Sequence, residues 1–109
     1  MQFNNLLQKY QKIDKYFDRT FPQLTGDYKI LARLGKISEE LGELNSAIHG
    51  QLKLHRPEKQ VKHQPSNVSE EWADLFNTVI LLGITLEIDM PKAIDERLTQ
   101  ILSRLDLSE

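Results

Sequence analysis

Two short acidic clusters carry the chemistry this sequence offers. Glu39-Glu40-Leu41-Gly42-Glu43 and Glu70-Glu71-Trp72-Ala73-Asp74 each place carboxylates three residues apart, which on a helix sets them one turn apart on a shared face. At about 100° per residue, Glu39, Glu43 and Glu40 fall at roughly 0°, 40° and 100° on the helix wheel, with the apolar stripe centred near 180°. Glu40 therefore borders that stripe. Glu71 and Asp74 lie about 60° apart, flanked by Leu75 and Leu82, and are expected to point toward core rather than open water. Carboxylates converging from two neighbouring helices repel one another in a partly buried setting. A hard divalent cation removes that conflict, and an oxygen-only ligand set suits Mg²⁺ or Mn²⁺ rather than zinc. A ferritin-like di-iron centre uses Glu-x-x-His pairs, whereas the third position after Glu40 and after Glu71 holds Glu43 and Asp74. The plainer reading is two solvated acidic faces, and spacing alone leaves both open. Gly42 likewise serves either a close backbone approach or a helix crossing.

The elements that must position these acids read at helical spacing throughout. Phe3, Leu6, Leu7, Tyr10, Ile13 and Phe17 form the stripe of a first helix, ended by a loop over Thr20–Gly26 with Pro22. A second stripe runs Ile30, Leu34, Ile37, Leu41, Leu44, Ile48 and Leu52. Lys53–Val68, with Pro57 and Pro65, loses the pattern and is expected to be a loop. Within it Lys53, Arg56, Lys59 and Lys62 stand against the single Glu58, so it is either a solvated basic connector or a loop that steers phosphate or meets another subunit. Asn67 is placed to cap a third helix, with Glu70 able to close a capping box. That helix runs from Trp72 through Leu75, Phe76, Val79–Leu82, Ile84 and Leu86 to Ile88, apolar nearly all round, which implies burial on most sides. One short chain supplies that burial with difficulty, so an oligomer is expected. Asp89 and Pro91 open a fourth helix with the stripe Ile94, Leu98, Ile101 and Leu105. The fold class is all-α, an antiparallel four-helix bundle-like protomer assembling into an oligomer.

Composition narrows the function classes. With 109 residues, a single domain over 1–109 is expected. There is no cysteine, which excludes disulfides, thiolate metal sites and cysteine nucleophiles. The net charge of −2 argues against a nucleic-acid partner. The longest apolar run, Val79–Leu86, is far below the roughly 20 residues of a membrane span. Met1–Asn5 lacks a basic stretch leading into an apolar one, so no signal peptide is expected and a cytoplasmic location is.

Glu39-Glu40-x-x-Glu43, the 27 residues 44–70, then Glu71-x-x-Asp74 together resemble the signature of the MazG-type nucleotide pyrophosphohydrolases. Ile37-Ser38-Glu39-Glu40-Leu41-Gly42-Glu43-Leu44 and Glu70-Glu71-Trp72-Ala73-Asp74-Leu75-Phe76 both read like family segments, and the resemblance covers about Ile30 to Leu105. It implies Mg²⁺-dependent hydrolysis of (deoxy)nucleoside triphosphates to monophosphate and pyrophosphate, in nucleotide-pool house-cleaning, by a homodimer or homotetramer. By position, Glu40, Glu43, Glu71 and Asp74 match the metal-binding carboxylates. Glu39 matches the motif's first acid, which binds a further metal or orients the attacking water and is assigned here as the catalytic residue. The family's last helix often carries a Lys-x-x-x-Asn-x-x-Arg-like set that holds phosphates; here the places hold Arg97, Ile101 and Arg104. Isoleucine does not replace an amide, so phosphate grip falls to Arg97 and Arg104, with Lys53, Arg56 or Lys59 as helpers from the loop. Phosphoribosyl-ATP pyrophosphohydrolase shares the bundle and a similar acid motif, and a non-catalytic helical interaction module is the rival from another class. Trp72 either stacks on a base or packs in the core or between subunits. Tyr10, Phe17 and Phe21 are expected in the core or along a base pocket. His49, His55 and His63 show no mutual ligand spacing, with His49 expected to pack and the other two to lie in the loop.

Overall fold

A computed structural model describes residues 2–63 and 67–108; Pro65, expected in the loop, lies outside them. The described chain is helical, with no strand among its residues: α1 Phe3–Thr20, α2 Gly26–Gln51, α3 Pro57–Lys62, α4 Val68–Thr85 and α5 Met90–Arg104. The four expected helices are present, and two of their starts are fixed by the residues that predict them. Asn67 Oδ1 accepts from the Ser69 and Glu70 amides at 2.9 and 3.4 Å. Asp89 Oδ1 accepts from the Lys92 amide at 3.3 Å.

Helix ends depart from expectation for a common reason. After α2, α4 and α5 the chain turns through Lys53, Glu87 and Asp106, each at a positive φ of 56–58°. The next amide folds back each time: Leu54 to His49 O at 2.8 Å, Ile88 to Gly83 O at 3.0 Å, Leu107 to Leu102 O at 2.8 Å. This is the Schellman closure, which satisfies orphan carbonyls and ordinarily uses glycine at the left-handed residue. The third expected helix therefore stops at Thr85 rather than reaching Ile88. The segment expected to be all loop holds the six-residue α3. Pro57 occupies its first position with φ already set for a helix, and Gln60 ties it down, donating to Gly50 O at 3.0 Å and accepting from the His55 amide at 3.3 Å.

Packing centres on α4. Helices α2 and α4 share the largest contact and α1 lies across α4; Glu40 meets Glu71 and Asp74 while Arg33 shares a cavity wall with Leu81, so α2 and α4 run antiparallel. The core is small: Tyr10, Ile80 and Leu81, with Phe3, Leu6, Leu7, Phe17, Phe76, Ile84 and Met90 around them. Tyr10 donates its hydroxyl to Asn77 Oδ1. Gly83 admits Met90, whose Sδ would lie 2.4 Å from any Cβ there. A closed four-helix bundle is not what the protomer shows. Helix α5 buries no residue and leaves Ile94, Leu98 and Leu105 exposed. The second stripe also departs from the expected burial: of its seven members only Leu44 is buried, and Leu34, Leu41, Ile48 and Leu52 face outward. The radius of gyration is 17.5 Å, against about 13 Å for a closed domain of this length.

Candidate metal centre and adjoining cavity

Helices α2 and α4 bring together four of the acids expected from sequence to bind a cation, together with Glu39. One carboxylate oxygen from each of Glu40, Glu71 and Asp74 lies within 4.8 Å of the others, and Glu39, Glu40 and Glu43 form a second such group sharing Glu40. Glu40 is the hinge of both groups and is only 7% exposed, a burial that acidic side chains adopt only when compensated. Its Oε1 has the Lys36 ammonium at 3.3 Å, which also stands 3.3 Å from Glu39 Oε1. Glu40 Oε2 and Glu71 Oε2 are buried without any hydrogen-bond partner. Two desolvated carboxylate oxygens with no donor are costly, and oxygen ligands gathered from three acids are what a hard cation requires.

The electrostatics agree with that geometry. The Glu43 carboxyl is pushed above the ordinary carboxylate range, first by the charge of Glu40, then by desolvation and the charge of Glu71. Lys36 is raised, first by its hydrogen bond to Glu39 and then by that to Glu40. Glu71 lies in the first turn of α4, where unpaired amides favour a negative charge.

Beside the acids opens a cavity of about 470 Å³ that includes Glu40 and Asp74 in its wall. Its walls also include the aromatic rings Phe17 and Phe21, the polar Asn77 and Thr78, the cations Lys29, Arg33 and Lys36, and the Asp18 carboxylate. Arg33 binds Asp14 at 3.0 Å and lies 5.2 Å from the centre of the Phe17 ring. Lys29 binds Asp14 and Asp18 at 3.0 and 2.8 Å. Burial alone would lower the Lys29 ammonium, but the bonds to Asp18 and Asp14 outweigh it and the net shift is upward. These three cations were not among the residues singled out from sequence. The signal was there, because Lys29, Arg33, Lys36, Glu40 and Glu43 recur at steps of four, three, four and three, one continuous charged stripe along α2.

The remaining expected residues are placed elsewhere. Arg97 and Arg104 share an open groove on α5 with Thr99, Gln100 and Ser103, and Arg97 donates to Gln100 Oε1 at 2.9 Å. Neither they nor Lys53, Arg56 and Lys59 line the cavity; Arg56 pairs instead with Glu58 at 3.5 Å. Trp72 does not pack in the protomer's core: it is 59% exposed and stacks on Phe76 at 5.5 Å between ring centres. Of the three aromatics expected in the core or along a base pocket, Tyr10 is buried in the core, and Phe17 packs against that core and lines the cavity together with Phe21. His49, expected to pack, is exposed. No helix among the described residues is long and apolar enough to cross a membrane. Comparison of the chain with family models, curated proteins and solved structures returns no match.

Proposed function

We propose that the chain is a Mg²⁺-dependent nucleoside triphosphate pyrophosphohydrolase of the MazG type, releasing monophosphate and pyrophosphate. The observation that carries this reading is the pair of buried, unpartnered oxygens, Glu40 Oε2 and Glu71 Oε2, on two acids that converge with Asp74 beside a cavity with aromatic and cationic walls. Glu40, Glu43, Glu71 and Asp74 would hold the cation, with Mn²⁺ as a substitute. Bound there, it would neutralise the triphosphate and stabilise charge on the transferring phosphoryl group and its leaving pyrophosphate.

The chain's own groups do the rest. Glu39 is exposed beside the metal acids, held only by Lys36, and accepts the proton of the attacking water. Lys36 is half-exposed on a flexible stem, free to leave Glu40 and turn to a phosphate oxygen. Arg33 presents a planar fork suited to phosphate, with its rotation fixed by Asp14. Phe21, stacked on Phe17 at 6.2 Å between centres, offers its outer ring face to a nucleobase. In this reading Lys29, Arg33 and Lys36 take over in the protomer the phosphate-binding part assigned from sequence to Arg97 and Arg104.

The same reading includes assembly as a homodimer or homotetramer. The protomer exposes 8541 Å², about 2,300 Å² beyond the roughly 6,200 Å² of a closed monomer of this mass. Leu34, Leu41 and Ile48 on α2 and Trp72 and Val79 on α4 are among the residues left bare.

The test is pyrophosphate release from a panel of ribo- and deoxynucleoside triphosphates, with Mg²⁺ and with chelator. Release that chelator abolishes, and that Glu71→Gln reduces at least 1,000-fold with helicity unchanged, is the expected result. A folded chain silent on the panel but active on phosphoribosyl-ATP would transfer the reading to that enzyme. Silence on both overturns hydrolysis.

A further inference from the structure

Three histidines well separated in sequence gather where the chain folds back over the C-terminal end of α2. The His49 and His55 rings lie 6.2 Å apart between centres and 23° from parallel, and His55 and His63 lie 5.6 Å apart. His49 Nδ1 stands 2.7 Å from Asn45 O, and His55 Nε2 stands 3.0 Å from Ser46 O. A carbonyl only accepts, so each of those nitrogens carries the proton. In the neutral rings His49 Nε2 and His55 Nδ1 then present lone pairs. A backbone carbonyl fixing one ring nitrogen so that the other is free is the arrangement that orients metal-bound histidines. The third ring has a fitted seat. His63 lies on the buried Gly50, where any Cβ would come within 2.0 Å of His63 Cε1, so this close approach requires glycine.

We propose that His49, His55 and His63 bind a late first-row divalent cation of the zinc type, which clasps the 52–63 segment to α2. Three imidazoles favour such an ion over Mg²⁺, which takes oxygen ligands. A metal–nitrogen bond of about 2.1 Å in a tetrahedral site places neighbouring ring centres roughly 5 Å apart, slightly closer than the two separations seen. The free nitrogens do not meet in the rotamers adopted: among the described residues, the groups that converge within 4.8 Å are the acidic ones. Rotation of the exposed His49 toward His55, which gives up the bond to Asn45 O, is the closing movement, while Ser46 O keeps His55 oriented. The donor set leaves a fourth position for water. This site shares no residue with the acidic centre and stands independently of the function proposed for it.

The test uses the full chain carrying Glu40→Gln and Glu71→Gln, so that the acidic centre does not compete, stripped with chelator and titrated with Zn²⁺ by calorimetry. One equivalent with a Kd below about 10 µM, or about −7 kcal/mol, is expected, and Co²⁺ should give the visible absorption of a nitrogen-rich tetrahedral site. His49→Ala, at an exposed position that leaves the fold intact by circular dichroism, should weaken Zn²⁺ at least tenfold. The variant lacking all three histidines should lose the site. No binding by the parent chain, or one equivalent retained by the triple variant, overturns the proposal.

Discussion

The two sides of α2 invert the arrangement of an ordinary surface helix. Toward α4 and the cavity it presents Arg33, Lys36 and the buried Glu40 before turning apolar at Leu44 and Ala47. One residue further round it exposes Leu34, Leu41 and Ile48, at 47%, 53% and 39%. A rotation of about 100° would bury those side chains and send the charges to water, which burial of apolar surface favours. The protein adopts the opposite setting, with Arg33 and Lys29 pinned by Asp14 and Asp18. In the proposed function, the charge kept inside is the part a bound ligand would compensate, and the apolar surface kept outside is the face a second copy would cover.

Charging the bare face tests the outward setting of the leucines. Leu41→Asp is expected to raise the dissociation constant of the assembly at least 100-fold, about 3 kcal/mol, read by sedimentation velocity over a dilution series. The acid centre should remain able to bind cations, weakened by no more than the loss of assembly accounts for. A wild-type chain that sediments as a 12.7 kDa particle at high concentration would show instead that the leucines face water by themselves.

Neutralising the inner face tests the other half. With no divalent cation present, Glu40→Gln removes a buried charge whose Oε2 has no partner, and stability should rise by about 1–3 kcal/mol. The melting temperature should rise by several degrees even as activity is lost. The Glu43 carboxyl, raised chiefly by Glu40, should return toward the ordinary range in a carboxyl NMR titration. Added Mg²⁺ should stabilise the wild type by mass action and leave the variant unmoved. A variant that melts lower than wild type in chelator would mean that Glu40 is compensated within the chain.

What sequence could show follows the same division. Caps at Asn67 and Asp89 were legible because capping is local, and the acids of α2 and α4 because carboxylates three apart share a face wherever the helix points. The rotation of α2 was not legible. Its apolar stripe is the stronger pattern, and the ion pairs of Lys29 and Arg33 to Asp14 and Asp18 on the other side arise only from the tertiary fold. Helix α5 has a clean stripe at Ile94, Leu98 and Leu105, yet it finds no groove in the protomer. Lys53 and Glu87 end their helices without the glycine that would announce it. The histidine cluster depends on a fold-back that no spacing rule encodes.

A smaller effect probes the polar seam between α1 and α4. Tyr10→Phe leaves Asn77 Oδ1 without the hydroxyl it accepts from and should cost about 1 kcal/mol, read from urea midpoints at unchanged slope. An unchanged midpoint would place water in the hydroxyl's role.

The ion pairs beside the inverted face of α2 carry the smallest expected effect. Lys29 is raised despite burial because its bonds to Asp18 and Asp14 outweigh that cost, and Tyr10 is raised by burial. Each group holds its proton more tightly folded than unfolded. Its contribution is therefore complete below the unfolded value and fades as pH climbs through the folded one. Stability should be level from about pH 8 to 9 and decline above about pH 10, with the Lys29 share under about 1 kcal/mol because one partner, Asp18, is solvent-exposed. Lys29→Met removes the lysine share and Tyr10→Phe the phenol share, so the double variant should have the flattest alkaline profile. A double variant that declines as steeply as wild type would locate the alkaline transition elsewhere and remove the ion pairs from the account of why α2 keeps its charges inside.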